Sequence, residues 1–201
     1  MFQYGAFLPV FRSHGSDTPR EVWRFGKPGE PFYDSLIKVI HLRYRLLPYI
    51  YSLAGKVHRE NYTMTRTLAF DFAKDMQVAD LKDEFMFGPA LLVAPVTNPM
   101  YYSVDSHPLE NVDKVRRVYL PDGADWIDFW TGKKYKGGQW IVAEATINKI
   151  PLLVRQGSII PMGPVMQYTS EKIDAEWEIR VYPGADSSFT VYEDEGDNYK
   201  F

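Results

Sequence analysis

From residue 84 to residue 192 the chain is cut into short apolar segments by turn signals, and that rhythm limits the folds open to it more than any other feature. The segments are 84–87, 90–95, 117–120, 126–130, 140–143, 152–154, 158–161, 177–182 and 187–192. Between them stand Gly88-Pro89, Asp122-Gly123, Thr131-Gly132, Gly137-Gly138, Gln156-Gly157 and Pro183-Gly184. Runs this short do not make helices, and glycine supplies the left-handed backbone that tight turns need. Many such strands in succession predict an antiparallel sandwich or barrel. Residues 63–72, rich in Thr, Leu and Phe, read as its first strand, and 73–83 as a short helix or loop. The long stretch 98–114 has no clear period and reads as a loop, either a surface excursion or a wall of a neighbouring subsite.

Upstream of this region the pattern is different. Leu36, Ile40, Leu47, Ile50 and Ala54 recur near helical spacing, which predicts a helical segment with one buried face. Asp34 is the expected N-cap. Pro48 lacks an N–H and disfavours helical geometry at Leu47, so a kink or a break is expected there. Before a polar loop over 16–30, the apolar run 7–11 turns abruptly into Arg12-Ser13-His14-Gly15. It reads as a buried strand that delivers its last residues to a surface. Strand alternation puts Leu8, Val10, Arg12 and His14 on one side, and Phe7, Pro9, Phe11 and Ser13 on the other. The residues alone leave two readings of Arg12 and His14. They solvate a strand end, or they stand at the C-terminal rim of a (β/α)₈ barrel, where barrel enzymes bind substrate. The two patterns meet near Asn61, which predicts domains over 1–60 and 61–201. A chain of 201 residues is long enough for both.

Several chemistries are disfavoured. A net charge of −3 with no Lys/Arg-rich run predicts no nucleic-acid partner. The lack of cysteine rules out a disulfide scaffold, and the four histidines lack an H-E-x-x-H arrangement, so no metal site is expected. No apolar run is long enough to span a bilayer, and no membrane partner is expected. Ser13 and His14 point to opposite faces of a strand, so they are no nucleophile–base pair, and no G-x-S-x-G is present. The acids among Glu193-Asp194-Glu195-Gly196-Asp197-Asn198 lack EF-hand spacing and read as a solvated hairpin tip. Aromatic residues make up 15% of the chain. They could stack on sugars or fill a sandwich core, and Trp126 and Trp130, on one strand face with Asp128 between them, do not decide it.

The stretch Gln3-Tyr4-Gly5-Ala6-Phe7-Leu8-Pro9-Val10-Phe11-Arg12-Ser13-His14-Gly15, followed by Arg20-Glu21-Val22-Trp23, resembles the last barrel strand and following loop of glycoside hydrolase family 31, the α-glucosidases and α-xylosidases. Further motifs follow in the family's order. They are Leu42-Arg43-Tyr44-Arg45-Leu46-Leu47-Pro48-Tyr49-Ile50-Tyr51, Phe87-Gly88-Pro89-Ala90-Leu91-Leu92-Val93-Ala94-Pro95-Val96, Val118-Tyr119-Leu120-Pro121, Trp126-Ile127-Asp128-Phe129-Trp130-Thr131-Gly132 and Ile150-Pro151-Leu152-Leu153-Val154-Arg155-Gln156-Gly157-Ser158-Ile159-Ile160-Pro161. The resemblance implies an α+β fragment: the last strand and helix of a (β/α)₈ barrel, then an antiparallel β-sandwich. A barrel enzyme cannot begin at its last strand, so Met1 is expected to lie inside a longer protein.

The implied parent activity is cofactor-free, retaining hydrolysis of α-glucosidic or α-xylosidic bonds from the non-reducing end. The family's two catalytic aspartates lie on earlier barrel strands, so no catalytic residue is expected in this chain and the chain alone is expected to be inactive. The resemblance makes Asp71 structural, in the first sandwich strand, although Asp71 and Asp75 look like a carboxylate pair. It makes His14 the substrate-binding residue, hydrogen-bonding sugar hydroxyls where cleavage occurs. Arg12 either orients a catalytic carboxylate or braces the barrel. Residues 98–114 resemble an insertion found in some bacterial members. The competing reading is a stand-alone, non-catalytic carbohydrate-binding sandwich with a helical extension. Strand edges and a helix face cut off from a barrel would also promote self-association.

Overall fold

The computed structural model describes residues 2–171 and 175–196. Its centre is a six-stranded antiparallel sheet in the order β1-β2-β3-β8-β5-β6. The strands are β1 (Thr65–Thr67), β2 (Phe85–Phe87), β3 (Leu91–Val93), β5 (Trp126–Asp128), β6 (Lys134–Tyr135) and β8 (Leu152–Arg155). Leu91, Leu92 and Val93 on β3, and Leu152, Leu153 and Val154 on β8, are all fully buried. Such uninterrupted apolar strands require cover on both faces, and the register shows what covers each.

Leu91 pairs with Val154 and Val93 with Leu152, which sets these four with Phe87 and Ile127 on one face. That face packs on α2 (Pro31–Arg45) and α3 (Leu47–Glu60) through Val39, Leu46, Tyr49, Ile50 and Leu53. Met86, Leu92, Leu153 and Trp126 form the other face. It packs on Val118, Leu120, Ile141 and Ala143, which come from the β4 (Val115–Leu120) and β7 (Gln139–Glu144) ribbon. Sheet and ribbon are the two layers of the β-sandwich, and the helices form a third layer behind it. A second ribbon, β9 (Ile159–Met162) with β10 (Glu178–Val181), adds Ile160 and Met162 to the helix-side core.

The helices are built as the prolines dictate. α2 starts with Pro31 in its first turn rather than at Asp34, whose Oδ1 instead accepts from the Gly29 N–H at 3.0 Å, outside the helix. Pro31 has no N–H to lose at a helix start and a φ already suited to it. The expected break falls at Leu46, which ends α2 and precedes α3, with Pro48 in the first turn of α3. Asn61, left-handed at φ 54°, stops α3.

Other expectations need correction. Residues 7–14, read as a strand, pair with no strand among the described residues and turn irregularly after α1 (Phe2–Gly5). A strand is defined by its neighbour's hydrogen bonds, and among the described residues no strand lies beside this segment. Their apolar side chains are nonetheless partly sheltered. Phe7 is 1% exposed and Phe11 packs on the helix-side core, whereas Val10 is 74% exposed. Residues 63–72 form only β1 before the chain coils into α4 (Leu68–Asp71). Residues 187–192 form no strand, and their Phe189 and Tyr192 lie on α3 instead. Trp126 and Trp130 do not share a face. Asp128 Oδ1 accepts from the Trp130 and Thr131 N–H groups at 3.0 and 2.7 Å, a turn that ends strand alternation. Trp126 therefore enters the ribbon-side core and Trp130 the helix-side one. No helix among the described residues is long and apolar enough to cross a membrane.

Candidate functional site

The site begins with a buried cation. Arg43 lies on the inner face of α2 and is 9% exposed. Its Nη1 donates to the Ala6 and Leu8 carbonyls at 2.9 and 2.7 Å, and its Nη2 to the Pro9 carbonyl at 3.0 Å. These charge-assisted bonds fasten residues 6–9 to the helix. Burial disfavours the charge and pushes the Arg43 pKa down to about 10, still far above neutrality. Phe7 completes the anchor, meeting Phe87 edge-on at 6.1 Å, and Phe11 meets Phe2 at 4.8 Å.

Beyond this anchor the chain emerges into solvent carrying Arg12, Ser13 and His14. Arg12 and His14 are brought together, with Arg12 Nη2 at 2.6 Å from His14 Nδ1. A guanidinium has donors only, so in this bond Nδ1 supplies the lone pair and the ring proton sits on Nε2. The pair thus offers an imidazole Nε2–H and the remaining guanidinium N–H groups. Such a donor-rich edge suits hydroxyl or carboxylate oxygens. The Ser13 hydroxyl donates to the Arg20 carbonyl at 2.9 Å, closing the loop behind the pair. Gly15 permits that closure, because a Cβ there would stand 2.1 Å from the Thr18 carbonyl oxygen.

The aspartates that look like a pair in sequence are separated into structural roles. Asp71 forms an ion pair with Arg66 at 3.0 Å. Asp75 caps a short turn through the Gln77 N–H and accepts from the Tyr119 hydroxyl at 2.8 Å and the Asp122 N–H at 2.8 Å. Asp194 accepts from the Tyr51 and Tyr192 hydroxyls, each at 2.6 Å, which hold its carboxyl below the usual range. Asp197 and Asn198 of that acidic turn lie outside the described residues. Among the described residues no group of three or more His, Cys, Asp or Glu is arranged to hold a metal ion. Residues 98–114 fold back on themselves through a Tyr102–Pro108 bridge, and Tyr101 Oη accepts from the Ile147 N–H at 2.8 Å. Between this loop and α2 lies an aromatic cleft of about 520 Å³ lined by Phe25, Phe32, Met100 and Tyr101.

Arg43 is the site residue that sequence reasoning missed. Its signal was a charged residue one helical turn from Val39 on the face that should be apolar.

Comparison with known proteins places these observations. Residues 1–53 match the model of the glycosyl hydrolases family 31 TIM-barrel domain, and residues 61–160 that of the family 31 C-terminal domain. The chain is 39% identical over 200 residues to an alpha-xylosidase of Saccharolobus solfataricus, covering all of this chain and 25% of that protein. It is 33% identical to alpha-glucosidase 2 of Bacillus thermoamyloliquefaciens, covering 99% of this chain and 24% of that one. The chain thus spans about a quarter of the length of these curated relatives. Among solved structures, the family 31 alpha-xylosidase of Xanthomonas citri superposes with a TM-score of 0.87 at 46% identity, over 98% of this chain and 20% of that one. A Flavobacterium johnsoniae family 31 dextranase, complexed with isomaltotriose, superposes with a TM-score of 0.82 at 36% identity, over 97% and 23%.

Proposed function

This chain belongs to glycosyl hydrolase family 31, and we propose that it forms the closing piece of an α-glycosidase. Residues 1–60 would end the catalytic barrel and residues 61–201 would form the sandwich that supports it. The bonds cleaved are α-glucosidic or α-xylosidic, as the names of the relatives suggest, with retention of configuration. The carboxylates for that chemistry are supplied from outside this chain, so the 201 residues alone hydrolyse nothing.

The observation that carries this reading is the Arg12–His14 pair, 2.6 Å apart, exposed to solvent and seated on a segment that matches the barrel model. Its geometry supports the following division of labour. With Nδ1 engaged by Arg12, His14 donates through Nε2–H to a hydroxyl of the sugar in the cleavage subsite. Arg12 then has two tasks: it holds the imidazole tautomer and it offers its free N–H groups to a neighbouring oxygen. A buried sugar hydroxyl that loses its donor costs about 1–3 kcal/mol.

The test is His14→Ala in the longer glycosidase that carries this segment. kcat/KM for a p-nitrophenyl α-glycoside is expected to fall about tenfold or more. A value within twofold of the parent refutes the assignment. Isothermal titration of the 201-residue chain with α-linked oligosaccharides is expected to show negligible heat, whereas micromolar binding would favour a self-standing binding module.

A further inference from the structure

We infer that Arg43 is a positioning residue for the sugar-binding pair: its guanidinium, buried on the inner face of α2, fixes the backbone of residues 6–9 and so sets where Arg12 and His14 emerge. The inference rests on the reading of His14 as a sugar ligand and adds the device that places it.

The geometry is specific. A buried cation normally takes a carboxylate partner, yet among the described residues no carboxylate forms an ion pair with Arg43. It spends its donors on three main-chain carbonyls, those of Ala6, Leu8 and Pro9, within a single turn of chain. Those carbonyls belong to a segment of irregular chain, and the guanidinium satisfies three of its backbone acceptors. Pro9 is three residues from Arg12. With its carbonyl held at 3.0 Å and Phe7 locked against Phe87, the chain leaves the core at one place and in one direction.

The planar fork spreads its donors over two nitrogens, with Nη1 reaching the Ala6 and Leu8 carbonyls and Nη2 that of Pro9. A lysine ammonium is a point charge on a flexible stem and matches that arrangement poorly. Small misplacements at a binding rim are expensive, because ligand contacts form only within tenths of an ångström of their optimum. Arg45, two residues on, provides an internal contrast. It points the other way, to Glu178 on β10 and the Gly163 carbonyl, and among the described contacts bonds to none of residues 6–9.

The experiment has two arms. In the 201-residue chain, Arg43→Lys is compared with Arg45→Lys by amide hydrogen exchange. Exchange at Phe7 and Leu8, whose N–H groups bond to Tyr4 and Gly5, is expected to accelerate about tenfold in the first variant and to stay unchanged in the second. Arg43→Gln, neutral but able to donate to one carbonyl, replaces the lysine variant if that chain does not fold. In the longer glycosidase, a double-mutant cycle joins Arg43→Lys to His14→Ala. The arginine change alone is expected to lower kcat/KM at least tenfold, mainly through KM. In the His14→Ala background it is expected to lower it less than twofold further. Fully additive losses, or unaltered exchange at residues 7 and 8, overturn the inference. If His14→Ala proves silent while exchange still accelerates, the anchor stands and the sugar-binding reading fails.

Discussion

Glu84 gives the sharpest test of the energetics. It precedes β2 and is 4% exposed, its side chain turned into the ribbon-side layer. Oε1 accepts from the Tyr119 N–H at 2.9 Å and lies 3.3 Å from Arg116 Nη2, while Oε2 is buried without a hydrogen-bond partner among the described residues. Burial pushes the carboxyl pKa up to about 7, and the neighbouring Asp83 charge acts in the same direction. The Tyr119 N–H and Arg116 pull it back only in part. In the unfolded chain the same group titrates near 4.5. Between these values the folded protein keeps a proton that the unfolded chain has released, so stability falls as pH rises. The contribution is complete below pH 4.5 and lost once the pH passes about 7. At about 1.4 kcal/mol per pH unit, its size is about 3 kcal/mol.

The perturbation is Glu84→Gln, which keeps an acceptor for the Tyr119 N–H and removes the ionisation. Urea unfolding of both proteins from pH 5 to pH 8.5 gives the difference in their stabilities, from which other titrating groups cancel. That difference is expected to swing toward the glutamine variant by most of about 3 kcal/mol as pH rises. Parallel curves would refute the argument. A swing toward the parent would show that Arg116 governs the carboxylate and holds it ionised.

Two further substitutions test single contacts. Gly88 has φ 63° and a Cβ there would stand 2.3 Å from the Tyr49 hydroxyl and 2.6 Å from Leu53 Cδ1; Gly88→Ala is expected to cost about 3 kcal/mol in urea unfolding, from left-handed strain and overpacking together, and a loss under 1 kcal/mol would show that the helix yields easily. Asp128 Oδ1 serves the Trp130 and Thr131 N–H groups and the Thr131 hydroxyl; Asp128→Ala is expected to cost about 2 kcal/mol and to shift Trp130 fluorescence, and an unchanged spectrum would show that the turn holds without its acceptor.

What the sequence made legible follows from periodicity. β3 and β8 read as apolar throughout because the sheet is covered on both faces, and Pro48 marked the helix break within two residues. The sequence singles out Arg12 and His14 as two polar residues where an apolar run meets solvent, but not their mutual bond, which strand alternation leaves undefined. Three features were hidden for a common reason, that each depends on a partner distant in sequence. Residues 7–14 have strand composition but no paired strand among the described residues. Residues 187–192 have strand composition but are drawn onto α3, where Phe189 stacks on Tyr49 at 5.3 Å. Arg43 looks like ordinary helix polarity until the carbonyls of residues 6–9 are seen around it.

These contacts connect the sandwich to the candidate site through the helices. The Tyr49 hydroxyl donates to the Phe87 carbonyl at 2.9 Å and accepts from the Ala90 N–H at 3.3 Å, so it grips both strands of the β2–β3 turn. Gly88, at the tip of that turn, lets the backbone press directly on Tyr49 and Leu53. The first turn of α3 is thereby fixed to the central sheet. Leu46 joins it to α2 with helical hydrogen bonds on both sides, Leu46 N–H to Leu42 and Ile50 N–H to Leu46, so the joint is bent but not loose. Arg43 lies one turn before this joint and holds the segment that carries Arg12 and His14. A rigid sheet, a bonded joint and a three-carbonyl anchor act in series, and the softest member sets the precision of the pair. That member is the anchor, because its acceptors belong to irregular chain while the other two are built from secondary structure.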